Sequence, residues 1–236
     1  VKMKMNMEMS SSVALVASLA SEPTRAAILT ALLDGRLHPA GDLAYMAGIK
    51  PQTASFHLAK MVEAGVISVT KQGRHRYYGI PDQQVAQVME SLLSISRPGE
   101  IRSLRQAQQD ERIRMARTCY DHIAGKLGVQ IASSLLNLGV LEADQGQNQF
   151  KLTEEGENFF SRLQIDVAEV KRRRRSFSHK CLDWSERQHH LAGSLGEALL
   201  HKMIELQWIE RLPDTRAIRV TDEGRQALQE RFLIEI

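Results

Sequence analysis

Two clusters in the second half of the chain hold the residue types with the most chemistry. Cys119, Asp121 and His122 stand together, as do Cys181, Asp183, His189 and His190. Thiolate and imidazole are good zinc ligands, and Cys119, His122, Cys181 and His190 would complete a tetrahedral site. Cys119 and His122 are three apart, so a helix would place them on one face. The spacing matches no recognised zinc pattern, and two histidines doing the same structural work twice is a competing explanation. A second candidate uses Tyr120, His122, Trp184, Arg187 and His190 as the lining of a cleft, since aromatic walls with a few polar groups suit a small molecule. A His or Arg there could hold a carboxylate. A packed core without any ligand is the third. A thiol nucleophile would need an orienting group that the sequence does not place. The chain has no phosphate loop, no G-x-S-x-G elbow and no H-E-x-x-H, so no enzyme is expected.

The elements that must position these residues form a repeat. The segment HIAGKLG from His122 returns as HLAGSLG from His190, and KLTEEG from Lys151 returns as RVTDEG from Arg219. Both pairs share one offset of 68 (190 − 122 and 221 − 153), which indicates internal duplication. Each copy reads as helix, break, strand, turn, strand, helix, with Thr153 and Thr221 as candidate N-caps. Between the copies, residues 171–175 are Lys-Arg-Arg-Arg-Arg. A solvated helix is the preferred reading of that run over a phosphate contact.

The first half is organised around residues 49–80. Lys50 to Ala64 has Ala54, Leu58, Met61 and Val62 at helical spacing. After Gly65 come two strand-like runs, Val66–Thr70 and Arg76–Ile80, joined by the basic turn 71–75. The bases Lys50, Lys60, Lys71, Arg74 and Arg76 face a single acid, Glu63, in this stretch. A helix followed by a basic hairpin is the layout of a winged helix-turn-helix. Lys50, Gln52, Thr53, Ser55, Phe56, His57 and Lys60 would then approach a DNA major groove. Lys71, Arg74, His75 and Arg76 would set the wing on phosphate or in the minor groove. Upstream, Ser10–Ala20 reads as a helix, Ser21 as the N-cap of a second, and Pro39–Ala47 as a third. Downstream, Asp82 caps a helix striped by Val85, Val88, Met89, Leu92 and Leu93.

SEPTRAAIL (21–29), TASFHL (53–58), EAGVI (63–67) and GRHRYY (73–78) together resemble the ArsR family of bacterial winged-helix repressors over about residues 10–95. The resemblance implies a homodimer, built with the first helix and the helix after the wing. It also implies metal-sensing positions in the third helix and after the wing. Those are absent here, because residues 42–48 contain no Cys and residues 85–93 no His. A sensor, if present, belongs elsewhere. Each copy of the repeat in turn resembles the latter part of a winged helix, but Val129–Leu138 and Glu197–Leu206 are mostly apolar or neutral, which suits packing rather than DNA reading.

The expected fold is mainly α with small β-hairpin wings (α+β): a winged helix-turn-helix domain over 10–97, a connecting helix over 98–117, and a sensor or dimerisation domain over 118–236 with repeats 118–170 and 186–236. A net charge of +3 across 236 residues makes any nucleic-acid contact a matter of local patches. Two cysteines, no apolar leader with a cleavage motif and no run approaching the roughly 20 apolar residues of a membrane span fit a cytoplasmic chain with reduced thiols. Met3, Met5, Met7 and Met9 read as a frayed terminus rather than a soft-metal arm. The expected function is a dimeric, sequence-specific regulator binding double-stranded operator DNA, most simply a repressor released by an effector held in the C-terminal half. That effector could be a small molecule or a transition metal such as zinc at the Cys/His residues; alternatively, the C-terminal half only dimerises.

Overall fold

The computed structural model describes residues 14, 16–96, 111–144, 146–213 and 215–236. The methionine-rich start and most of the expected connecting helix lie outside them. The chain divides into two compact units, one ending at Met89 and the other beginning at Glu90.

In the first unit, residues 16–21 are helical, followed by α1 (Pro23–Ala31), a 3-10 turn (Leu32–Asp34), β1 (His38–Pro39), α2 (Ala40–Ala47), α3 (Pro51–Glu63), β2 (Ser68–Gln72) and β3 (His75–Gly79). The N-cap of α1 is Glu22, not Ser21: its carboxylate accepts from the backbone N–H of Thr24 and Arg25 at 3.0 and 2.9 Å. A longer side chain reaches these orphan donors because Pro23 supplies none. Left-handed Gly48 ends α2 and turns the chain into α3. Ile28, Leu29, Leu32, Leu43, Leu58 and Met61 are all buried and form the core that fixes α3 against α1 and α2. Strands β2 and β3 pair from Ser68↔Gly79 to Gln72↔His75, and β1 adds to β3. The expected five-residue turn therefore shrinks to Gly73-Arg74. Gly73, at φ 60°, takes the first position of a tight hairpin turn where glycine is favoured. Helix α4 (Gln83–Ile95) follows, started by Asp82 accepting from Gln84 N–H at 2.8 Å, and from Glu90 on it belongs to the second unit.

The second unit is the duplication. Its first copy is β4 (Arg117–Cys119), β5 (His122–Ala124), α5 (Gly125–Asn137), β6 (Leu141–Ala143), β7 (Phe150–Leu152) and α6 (Glu154–Arg162). After α7 (Val167–Arg172) comes the second: β8 (His179–Leu182), β9 (His189–Ala192), α8 (Gly193–Glu205), β10 (Ile209–Arg211), β11 (Ile218–Val220) and α9 (Asp222–Phe232). Each copy thus opens with a hairpin that the sequence reading did not expect. Thr153 and Thr221 cap α6 and α9 by accepting from Gly156 and Gly224 N–H, both at 2.9 Å. A side chain at either glycine would collide with the carbonyl of Val140 or Trp208, which accounts for the recurring Thr-x-x-Gly. One core spans both copies, including Leu127, Ile131, Leu135 and Phe160 from the first and Leu195, Leu199, Leu200, Met203 and Phe232 from the second.

Arg117, expected at the end of the connecting helix, is instead in β4 and fully buried; residues 111–115 are helical. The basic run is not a free solvated helix either. Helix α7 ends at Arg172. Arg173 pairs with Glu197 at 2.9 Å, Lys171 with Glu157 at 2.6 Å, and Arg175 with both Asp121 and Glu197. These pairs tie the segment between the copies to each of them. Among the described residues, no helix is long and apolar enough to cross a membrane.

Candidate functional site

Burial sorts the expected DNA-facing residues. Ala54, Leu58 and Met61 anchor one side of α3. Lys50, Gln52, Thr53, Ser55, Phe56 and Lys60 lie exposed, Phe56 at 66% despite its apolar ring. Ser55 donates its hydroxyl back to Pro51 O at 2.9 Å, so it keeps only acceptor capacity for a ligand. His57 differs from the expectation. Its side chain is 12% exposed and its Nδ1 lies 3.7 Å from Glu22 Oε2, so it faces the cap of α1. Partial burial would raise the Glu22 carboxyl, but the N–H groups of Thr24 and Arg25, helped by His57, bring it down to about 2. Lys71, Arg74, His75 and Arg76 are all exposed along the wing. Only Arg74 is in the turn itself; the other three are on the strands.

In the second unit, Cys119 and His122 are not on a helix. They are directly opposed across the β4–β5 hairpin, and Cys181 and His190 are opposed across β8–β9. Directly opposed residues project from the same face of a hairpin, so each copy presents one Cys beside one His. The hairpins meet so that His122 Nε2 is 3.1 Å from His190 Nε2. One potential ligand atom from each of Cys119, His122, Cys181 and His190 lies within 4.8 Å of all the others. Reciprocal glycines allow this approach: a Cβ on Gly128 would sit 3.5 Å from His190 Cβ, and one on Gly196 3.2 Å from His122 Cβ.

Behind each imidazole stands a carboxylate. Asp121 Oδ1 is 3.2 Å from His122 Nδ1. Asp183 Oδ2 is 3.3 Å from His190 Nδ1, off the line of a good hydrogen bond. Burial opposes ionisation of Asp121, but His122 and Arg175 hold it at about 2. Asp183 is fully buried and also stays well below the usual carboxylate range. Desolvation is outweighed there by His190, by Arg117 at 2.9 Å, and by Ser185 and the Gly125 N–H at 2.7 Å. Both histidines are raised above their ordinary value despite burial, by those carboxylates and by Cys119. Cys119 is pushed up to about 12 by the neighbouring Cys181 sulfur and by burial, whereas Cys181 is lowered by Cys119.

Glu90 and Arg117 were not anticipated. Glu90, buried on α4, accepts from Cys119 Sγ at 3.3 Å, Trp184 Nε1 at 3.2 Å and Arg216 at 3.0 Å. Arg216 and Arg117 outweigh the desolvation of this carboxylate and lower it. Arg117 lies over the Trp184 ring at 4.8 Å. The residues of the proposed aromatic cleft are therefore divided. His122 and His190 meet, Trp184 is engaged by Arg117 and Glu90, Tyr120 is 45% exposed, and Arg187 donates to Ser96 O.

A helix-turn-helix and its wing thus precede a duplicated unit. The sequence profile described as a helix-turn-helix domain matches residues 19–70, which defines the class. Among relatives, "Uncharacterized HTH-type transcriptional regulator YdfF" of Bacillus subtilis (strain 168) is 50% identical over 228 residues, covering 97% of this chain and 100% of the relative. The chain belongs to the HTH-type transcriptional regulators. HTH-type transcriptional regulator CmtR of Mycobacterium tuberculosis (strain ATCC 25618 / H37Rv) is 35% identical over 75 residues, covering 32% of this chain and 63% of that protein. Among solved structures, NolR from Sinorhizobium fredii is 24% identical, covering 39% of this chain and 90% of that one, with a TM-score of 0.36. The cadmium metal-sensor CMTR from Mycobacterium tuberculosis is 28% identical, covering 39% and 98%, with a TM-score of 0.31.

Proposed function

We propose that this transcriptional regulator is a homodimeric, sequence-specific repressor. In this reading the domain over residues 10–97 binds operator DNA, and an effector held by the domain over residues 118–236 releases it. The observation that carries the reading is the exposed polar face of α3 followed by a wing bearing Lys71, Arg74, His75 and Arg76 in solvent. Lys50, Gln52, Thr53, Ser55, Phe56 and Lys60 enter the major groove, where Gln52 suits adenine and Phe56 a thymine methyl. His57, turned to Glu22, positions α3 instead of touching bases. A second copy is expected on α4. Val88, Leu92 and Ile95 are 57%, 44% and 81% exposed and recur at helical spacing along one face.

The test is binding of the full-length Arg74→Ala/Arg76→Ala variant to duplex DNA from its own promoter, measured by fluorescence anisotropy across salt. Removing two phosphate contacts should weaken binding to every sequence and reduce the slope of log K against log salt by about 1.8, at roughly 0.9 per contact. Unchanged affinity and slope would remove the wing from the interface. A metal-responsive variant of the same reading is favoured by one observation, the convergence of Cys119, His122, Cys181 and His190.

A further inference from the structure

We propose that Cys119, His122, Cys181 and His190 form a tetrahedral two-thiolate, two-imidazole site for a divalent cation of the zinc class, clamping the two repeats together. The two hairpins supply one Cys and one His each, so neither copy can build the site alone. Cys119, His122 and His190 are buried, and Cys181 is partly so. Bond lengths to zinc of about 2.0–2.1 Å for nitrogen and 2.3 Å for sulfur put tetrahedral ligand atoms roughly 3.3–3.8 Å apart. The observed atoms, all within 4.8 Å of one another, already lie close to that spacing.

The imidazoles give the stronger argument. His122 Nδ1 is hydrogen-bonded to Asp121 at 3.2 Å, and His190 Nδ1 lies 3.3 Å from Asp183. That contact favours the proton on Nδ1 and leaves the Nε2 lone pair free, which is the usual support behind a metal-bound histidine. The two Nε2 atoms lie 3.1 Å apart, close to the N···N edge of about 3.3 Å in a zinc tetrahedron, so with both Nδ1 atoms protonated their lone pairs can converge on one cation. Charge also balances. Asp121 is matched by Arg175 and Asp183 by Arg117, so a dication with two thiolates leaves the buried centre neutral, as burial of charge requires. Metallation releases one proton from each thiol to solvent, including the one that Cys119 now donates to Glu90, and Glu90 belongs to α4, the helix that follows the wing. The cation would thereby be the effector in the proposed repressor; that part rests on the functional reading above, whereas the site itself does not.

The experiment uses the full chain, reduced and chelator-treated, with two free thiols confirmed by titration. Co²⁺ is added first and then displaced by Zn²⁺. One cobalt per chain, with thiolate-to-cobalt charge transfer and intense tetrahedral visible bands that Zn²⁺ abolishes, is expected. Cys181→Ser, at the less buried cysteine, should lose the charge-transfer intensity of one sulfur and weaken affinity by more than about 100-fold, beyond the 10–100-fold expected for Asp121→Asn behind the ligand. Asp121→Asn should keep stoichiometry and spectrum. Wild-type protein with free thiols that gives no cobalt–thiolate band, or a Cys119–Cys181 disulfide that persists under reductant, would overturn the site. Stoichiometric metal with unchanged operator affinity would overturn only its role as effector. Absent metal with intact DNA binding would overturn the site and leave the DNA-binding reading in place.

Discussion

Arg117 is the residue whose loss should cost the second unit most. Its guanidinium donates to Asp183 at 2.9 Å, Ile113 O at 3.2 Å and Ser185 Oγ at 3.3 Å, and lies 3.5 Å from Glu90. Arg117→Met keeps the aliphatic bulk and removes the shared cation from two buried carboxylates. Glu90 retains Arg216, and Asp183 retains the N–H groups of Gly125, Ser185 and Glu186, so neither is wholly unpartnered. Breaking a buried pair from one side costs about 3–5 kcal/mol, a large part of the 5–15 kcal/mol typical of a folded domain. Both tryptophans of the chain, Trp184 and Trp208, lie in this unit, so urea unfolding followed by fluorescence reports on it directly. The midpoint should fall sharply. Because the two positions share one network, Arg117→Met/Asp183→Asn should lose much less than the sum of the single changes. A loss under about 1 kcal/mol, the level of an exposed ion pair, would refute the buried network.

Other outcomes follow from the same geometry. Gly196→Ala places a Cβ 2.6 Å from Leu191 O and against His122; thermal unfolding should show about 1–3 kcal/mol lost to overpacking. Val88→Asp/Leu92→Asp on the exposed face of α4 should convert dimer to monomer in sedimentation equilibrium and weaken operator binding without unfolding the chain. Glu22 has a carboxyl lowered from 4.5 to about 2, so the stability it contributes is complete above its unfolded value and is lost as pH falls from about 4.5 towards 2. Circular dichroism of Glu22→Gln should show less acid dependence in that window than the parent chain.

Much of the fold was legible because its signals are local. The α3 stripe, the left-handed glycines and the basic hairpin each lie within a few residues. The duplication was legible because Thr153 and Thr221 must cap and Gly156 and Gly224 must be small. The Cys/His arrangement was only half legible. The histidines keep the repeat offset of 68, but the cysteines are 62 apart (181 − 119). The β4–β5 turn has two residues between Cys119 and His122, whereas the β8–β9 loop runs from Asp183 to Gln188. The extra loop length shifts Cys181 out of sequence register and leaves it opposite His190 in space. Helical spacing was therefore the wrong guide to Cys119 and His122. Arg117 was hidden by its polar neighbours, and Glu90 by a partner, Arg216, that lies 126 residues away. His57 fitted the outer face of α3 by spacing alone, yet the Glu22 carboxylate draws it inward.

Sequence-specific, dimeric DNA reading is tested most directly by selecting duplexes from a random pool with the full-length chain and footprinting the winners. A palindrome is predicted, with half-sites about 34 Å apart along one face of the duplex and protection lost when Gln52→Ala is used. Enrichment of no sequence, or of a single unpaired half-site bound by a monomer, would contradict the account.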